Sequence, residues 1–528
     1  MPKEFRTAGN CIPELNYMVD ITSKLDMIED MIHKNKYFTI NRARQFGKTT
    51  TITLLKRRLQ KEYIIWGLSF EGLSSASFEN EDVFVRDFLS DILLPVVENS
   101  DELSEKYIIN FLKSTSSTRI TKLGSLFKRI CRAHETKIVM IIDEVDQACN
   151  NKVFIDFLGI LRNLYLEQAE GLTAFQSVIL ASVYDIKNMK LKMRPENEHR
   201  YNSPWNIAVD FNVDMSFSAD AISDMLAEYK YDYELDFDVH WFGHQIYDFT
   251  AGYPYLVSRI CQILDEVVWR EEEFGDRNTA WSPSGFQRAI KLILESRCTL
   301  FDDINKNLDM YPLLDKKIKN ILLMGEEYTY TLGDNIVQLG TMLGYFVNKN
   351  GSVAITNRIF ETYMYNMYYA NEEDTKLALQ GKREKYAFID HGKLNMDLII
   401  NRFKIHYESF YSGRDETFLE REGRFLFLTF LKPIINGTGN YYIEAETRNQ
   451  KRTDVIVDYQ GQQFIIELKI WYGGEYQSEG RKQLCDYLDA YHQSKGWLVS
   501  FCFNKNKAKV QGARTIYENG KTIYEVVI

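Results

Sequence analysis

Residues 37–59 read YFTI, then NRARQFGKTT, then TITLLKRRL. The apolar run predicts a strand, and Ile52, Leu54, Leu55 and Leu59 predict a helix by their spacing. Between them the loop ends in Gly47-Lys48-Thr49. No other stretch restricts the fold as tightly, because this order places the loop at the carboxyl end of a strand in an α/β sheet. Its backbone N–H groups and the positive end of the following helix then face an anion. Gly47 keeps a side chain out of the phosphates' path, Lys48 reaches the outer phosphates, and the Thr49 hydroxyl holds Mg²⁺. Arg44, Gln45, Phe46 and Thr50 complete the expected nucleotide loop. The pattern GxxxxGK[ST] asks for glycine at position 42, where the chain has Arg42. Arg42 and Arg44 are both expected beside the phosphates.

A second strand, KIVMIIDEVDQA at 137–148, runs apolar from Ile138 to Ile142 and ends in Asp143-Glu144. Asp143 is placed to support Mg²⁺ through water, and Glu144 to polarise the attacking water. A third strand, SVILASV at 177–183, ends in polar Ser182, with Tyr184 and Asp185 just beyond. Between these two strands the helix FLGILRNLYLEQ carries Arg162, either a surface arginine or a finger reaching a neighbouring subunit.

A chain of 528 residues needs several cores. Its net charge of −10 argues against a surface coated for nonspecific nucleic-acid binding. Seven cysteines without a CxxC pair read as buried, reduced thiols of a cytoplasmic protein. The N-terminus lacks a signal-peptide core, and no apolar run reaches the ~20 residues of a membrane span, so no membrane is expected.

Further along, Ser218 reads as a helix N-cap, and Gly252–Leu256 (GYPYL) opens a helix at its proline. The segments FRTAGNCIPELNYMVD, RQFGKTT, IIDEVD and GYPYLV together resemble the AAA-like ATPases of bacteria, archaea and the signal-transducing STAND group, over about residues 5–270. That resemblance implies ATP with Mg²⁺ and tolerates the missing first glycine. It marks Tyr17 and Asp20 as the segment approaching the adenine, Ser182 as the γ-phosphate sensor, and Pro254 as the lid contact. Residues 299–370, with the strands YFVNK and SVAIT across Asn350-Gly351, resemble the winged helix that follows STAND-type modules. Asp334–Leu343, its presumptive recognition helix, has few basic residues, so DNA reading is not expected there.

Residues 371–394 read as a solvated helix or linker. Beyond them, RTDVIVDY and FIIELKIW predict two strands around Gln460-Gly461. Alternation puts Glu467 and Lys469 on one side, and a hairpin partner can bring Asp454 beside them. Asp454, Glu467 and the carbonyl of Leu468 suit Mg²⁺ or Mn²⁺, while Lys469 can position a water and stabilise phosphate charge. This resembles the PD-(D/E)xK nucleases fused to AAA-like ATPases, with RTD in place of proline-aspartate. The resemblance adds Glu422 as a further metal-site acid, Gln483 and Tyr487 as a QxxxY pair facing the site, and Arg452 as a phosphate contact.

The expected fold class is multidomain α/β. Its parts are a P-loop AAA-like ATPase core (1–218), a helical lid (219–298), a winged helix (299–370), a linker (371–394) and a restriction-endonuclease-like α/β domain (395–528). The expected function is an ATP-regulated nuclease, a defence or stress effector by resemblance. Its expected partners are nucleic acid (DNA) as substrate, a protein or ligand trigger, and further copies of itself in a homo-oligomer. The alternative is an ATP-switch signalling or scaffold protein whose last domain binds nucleic acid without cutting. An ATP-driven DNA translocase is disfavoured by the acidic charge and the absence of helicase-like motifs.

Overall fold

The computed structural model describes residues 3–98, 100–114, 119–149, 151–183, 186, 204–324, 326–370, 376–390, 393–411, 420–435, 439–446, 452–459, 461–503 and 511–528. Two compact units emerge, one built on Met1–Phe217 and one on Ser218–Thr341 and Tyr345–Ile528.

The first unit is organised by a four-stranded sheet: β1 (Phe38–Asn41), β2 (Ile64–Ser69), β3 (Ile138–Asp143) and β4 (Ser177–Ser182). The spatial order is β1-β4-β3-β2, and every pairing is parallel. Val209 adds a single bridge at the outer side of β1. Both faces are covered, which is why β3 and β4 read as unbroken apolar runs. Met140 and Ile142 face a large cluster that includes Trp66, Phe70, Phe88 and Phe157. Val139 and Ile141 face Ile40, Ile52, Leu55 and Ile179 on the other side. The Lys48–Leu59 helix packs on this second face, so its amino end meets the carboxyl ends of the strands.

The second unit begins with helices Ala219–Asp232, Val239–Thr250, Pro254–Glu266 and Pro283–Glu295. Ser218 caps the first by accepting from the Ala221 N–H, as Ser at an N-cap does. Left-handed Ala251 and Gly252 turn the chain into Pro254, the first residue of its helix. A hairpin follows, β5 (Phe346–Lys349) with β6 (Ser352–Ile355), and then the Arg358–Ala370 helix. Within the stretch expected to be a linker, Lys376–Glu384 is helical. Leu377 and Ala378 are buried there, and Gly381 sits against the Phe430 carbonyl, so this helix is packed on its Glu420–Ile435 neighbour. A two-residue pair, β7 (Ile389–Asp390) and β8 (Lys393–Leu394), comes next.

The last sheet has six strands: β9 (Gly439–Glu446), β10 (Arg452–Tyr459), β11 (Gln462–Ile470), β12 (Lys495–Phe501), β13 (Gly512–Glu518) and β14 (Lys521–Val527). Their order is β13-β14-β12-β11-β10-β9. β9, β10 and β11 are antiparallel neighbours, whereas β11, β12 and β14 run parallel. The Glu420–Ile435 helix lies on one face, with Gly423 against the Phe501 ring. The Gly474–Ala490 helix covers the other, where Ile465, Leu484, Tyr487 and Leu498 form the core. Among the described residues, no helix is long and apolar enough to cross a membrane.

Candidate nucleotide and nuclease sites

The loop after β1 is shaped by two left-handed positions, Gln45 (φ 57°) and Gly47 (φ 77°). Gly47 adopts this conformation at no steric cost and starts the Lys48–Leu59 helix. The Lys48 ammonium, largely buried, donates to the carbonyls of Arg42 (2.8 Å) and Ala43 (3.1 Å). Burial pushes its pKa down, opposed by Asp146, Glu144 and Asp143, while exposed Arg44 adds to the push. Phe46 packs against the sheet's core, and the Thr50 hydroxyl accepts from the Cys11 N–H at 3.3 Å.

Asp143 ends β3 beside this loop. Burial raises its carboxyl pKa, opposed by the Glu144 N–H, by Lys48 and Lys56, and by a hydrogen bond with the Thr49 side chain. A hydroxyl and a carboxylate in contact are the donor pair that one Mg²⁺ needs at a P-loop, so the residues present fit that ion. Glu144 stands in the left-handed region at φ 55°, uncommon for a glutamate and a form of strain that gathers at functional positions. Burial raises its pKa as well, helped by Asp143 and Asp146.

Arg42, expected beside the phosphates, is held by backbone carbonyls. Its guanidinium donates to the carbonyls of Asn41 (2.8 Å), Val213 (2.6 Å) and Phe211 (3.4 Å), and lies 5.0 Å from the Phe211 ring centre. It ties the loop to the segment beyond Val209. Ser182 is fully buried, and its hydroxyl donates to Asp146 (2.5 Å), which also accepts from the Val183 N–H. Tyr17 is buried against Phe5, and Asp20 accepts from the Thr22 N–H. Arg162 is half-buried on the Lys152–Ala169 helix, and Pro254 is buried in the second unit. Tyr184 and Asp185 lie outside the described residues.

Sequence reasoning missed Asp146 and Lys56. Asp146 was legible as the second acid of IIDEVD. Lys56 was not, because its path depends on Gly67 of β2, where a Cβ would stand 2.4 Å from the Lys56 Cε and Nζ.

In the second unit, Glu467 is fully buried and meets the Lys469 ammonium at 2.9 Å. Leu468, also buried, alternates to the opposite face. The β10–β11 register runs from Tyr459 opposite Gln462 to Val455 opposite Ile466, and Asp454 is the next residue of β10. The side chains of Asp454, Arg452 and Glu422 lie outside those described. Glu422 belongs to the helix on the Phe501 face, opposite the one that carries Glu467.

Gln483 and Tyr487 come together, Nε2 donating to the phenol oxygen at 2.5 Å, with Tyr487 buried in the core. The same helix brings two residues the sequence did not single out against the Lys469 strand. A Cβ on Gly480 would stand 3.6 Å from the Lys469 Cγ. The buried Gln477 accepts from the Ser500 hydroxyl (3.0 Å), and Ser500 is the register partner of Lys469.

No known family's sequence model matches the chain, and no curated protein matches it. Among solved structures, the Walker-type ATPase of Pyrococcus abyssi aligns with a TM-score of 0.45 at 11% identity, over 68% of this chain and 99% of its own. The Aeropyrum pernix ORC1 protein, solved in complex with DNA, aligns with a TM-score of 0.30 at 12% identity, over 67% and 94%. The Thermotoga maritima RuvB Holliday junction branch migration motor aligns with a TM-score of 0.31 at 10% identity, over 64% and 92%. These likenesses are distant.

Proposed function

We propose that this chain is an ATP-regulated, metal-dependent nuclease, in which nucleotide bound at the Gly47–Thr49 loop governs phosphodiester cleavage at β10 and β11. The observation that carries this is the Glu467–Lys469 pair: a carboxylate without solvent exposure, a lysine 2.9 Å away, and a neighbouring strand whose register leads to Asp454. Two charged groups kept under a helix cost desolvation that an apolar pair would not, which suits a catalytic role. Asp454, Glu467 and the Leu468 carbonyl would hold Mg²⁺ or Mn²⁺; Glu422, on the helix of the opposite face, is left out of this set. Such an ion supplies charge neutralisation at the phosphate. Lys469 orients the attacking water and offsets charge on the phosphoryl oxygens.

At the other site, Lys48 and the loop N–H groups bind the ATP phosphates, Thr49 and Asp143 hold Mg²⁺, and Glu144 orients the water. Ser182 reports the γ-phosphate through Asp146. The test is a Mg²⁺ and Mn²⁺ cleavage assay on single- and double-stranded DNA and RNA, with and without ATP. Lys469→Ala is expected to abolish cleavage with ATP binding intact, and Lys48→Ala to abolish the effect of ATP. Cleavage that survives Lys469→Ala sinks the assignment, and binding without cutting by the wild type favours the ATP-switch alternative.

A further inference from the structure

Directly beyond the strand that carries Glu467 and Lys469, two tyrosines stand in the open. Tyr472 is 70% exposed and Tyr476 39%, yet their rings meet edge to face with centroids 5.3 Å apart and planes at 88°. Single exposed aromatics are ordinary; a paired set with open ring faces is less so. An edge-to-face contact covers at most one face of one ring, so flat π-surface remains free for a third planar group.

The pair is anchored to the catalytic strand from both sides. The Trp471 N–H bonds the Phe501 carbonyl, continuing the β11–β12 pairing up to Tyr472. At about 3.3 Å per residue, Tyr472 lies about 10 Å along the chain from Lys469. Tyr476 sits in the first turn of the helix whose next residue, Gln477, holds Ser500 opposite Lys469. Between the tyrosines, Gly473 takes φ 144°, a turn that a residue with a side chain would strain even though the space around it is open. Nearby Glu475 and Glu479 are acidic and exposed, so the patch does not attract a phosphate backbone by charge.

We propose that Tyr472 and Tyr476 form a stacking subsite for an unpaired nucleobase, so that the substrate is single-stranded nucleic acid or an unpaired end. This rests on the nuclease assignment for its purpose. In a duplex, base faces are already stacked on their neighbours and closed to a tyrosine. An unpaired base a few nucleotides from the scissile phosphate is free to lie on the rings, leaving its backbone to reach Lys469. Base–aromatic stacking tolerates any sequence.

The test uses the full chain in EDTA, so that nothing is cut, and fluorescence anisotropy with a labelled oligothymidylate, an abasic oligomer of equal length and a blunt duplex of two separate strands. The wild type is expected to bind the oligothymidylate about tenfold or more tightly than either other probe. Tyr472→Ala and Tyr476→Ala are each expected to weaken that binding about 10- to 100-fold, and Tyr472→Phe to retain it. Equal affinity for the abasic oligomer, no binding of the oligothymidylate, or alanine variants that bind like the wild type would overturn the subsite. Folding is checked by circular dichroism, and the wild-type comparison of oligothymidylate with the abasic oligomer keeps the test decisive if an alanine variant unfolds. The two assignments fail separately: if cleavage persists in Lys469→Ala while the tyrosine dependence holds, the nuclease assignment falls and the subsite stands.

Discussion

Replacing Arg42 by glycine restores the residue that GxxxxGK[ST] asks for, and the structure predicts that the gain in likeness costs stability. The guanidinium makes two good bonds to the Asn41 and Val213 carbonyls, a longer one to Phe211, and a cation–π contact with the Phe211 ring. Hydrogen bonds from a charged donor contribute about 1.5–3 kcal/mol each when well buried, and less at a partly buried arginine. The ring contact adds about 0.5–1 kcal/mol. Freeing the arginine rotamers returns about 1–2 kcal/mol, and glycine's extra backbone freedom takes back about 0.5–1 kcal/mol. The net loss is about 2–3 kcal/mol, which lowers the melting midpoint of a unit this size by about 5–10 °C. Arg42→Met, which keeps the apolar stem, should lose less. Thermal unfolding by circular dichroism gives the midpoint, and titration calorimetry with Mg²⁺ and ATP gives affinity. Affinity is expected to stay within about threefold, because Lys48 and Thr49 are untouched. An unshifted midpoint with ATP bound tenfold more weakly would refute the clamp and return Arg42 to the phosphates.

Glu144 has its pKa raised by burial and by Asp143 and Asp146, so its basic form needs a higher pH than an ordinary glutamate's. The acid limb of ATP turnover should lie correspondingly higher, and Glu144→Gln should lower turnover about 10²- to 10⁴-fold and remove that limb, as pH–rate profiles would show. A raised carboxyl also contributes stability that is fully present below the ordinary glutamate value and lost as pH rises through the raised one. Asp146→Ala leaves the buried Ser182 hydroxyl and Val183 N–H without their acceptor, a loss of about 1–3 kcal/mol measurable by urea unfolding. Asp146→Asn keeps one acceptor oxygen and should lose less. Gly67→Ala should push Lys56 aside with little loss of stability, since the clash is with the flexible end of a side chain. An ammonium near Asp143 repels a divalent cation, so Gly67→Ala and Lys56→Met should lower the Mg²⁺ midpoint for turnover by the same severalfold factor. Unequal shifts would separate the two residues.

What could be read in advance depended on whether a residue's surroundings are local in the chain. The strand, loop and helix around Gly47 were legible because each is set by a few consecutive residues, and β3 and β4 because a strand buried on both faces spells itself out as an apolar run. Glu467 and Lys469 were legible as a pair because alternation alone puts them on one side. The hold on Arg42 was not legible, for the opposite reason. Its partners are carbonyls of Phe211 and Val213, some 170 residues away, and a backbone carbonyl has no signature in sequence. The same holds for the Gly474–Ala490 helix. The QxxxY spacing picked out Gln483 and Tyr487, which bond each other along one face, whereas Gln477 meets Ser500 only because β12 pairs with β11 in one register. A one-residue slip of β12 would have turned Ser500 to the far face and left Gln477 over Val499 or Phe501. The chemistry of each site is therefore written locally, in the residues proposed to touch phosphate or metal. The groups that hold those residues in place are fixed by sheet register and by chain segments that meet only after folding.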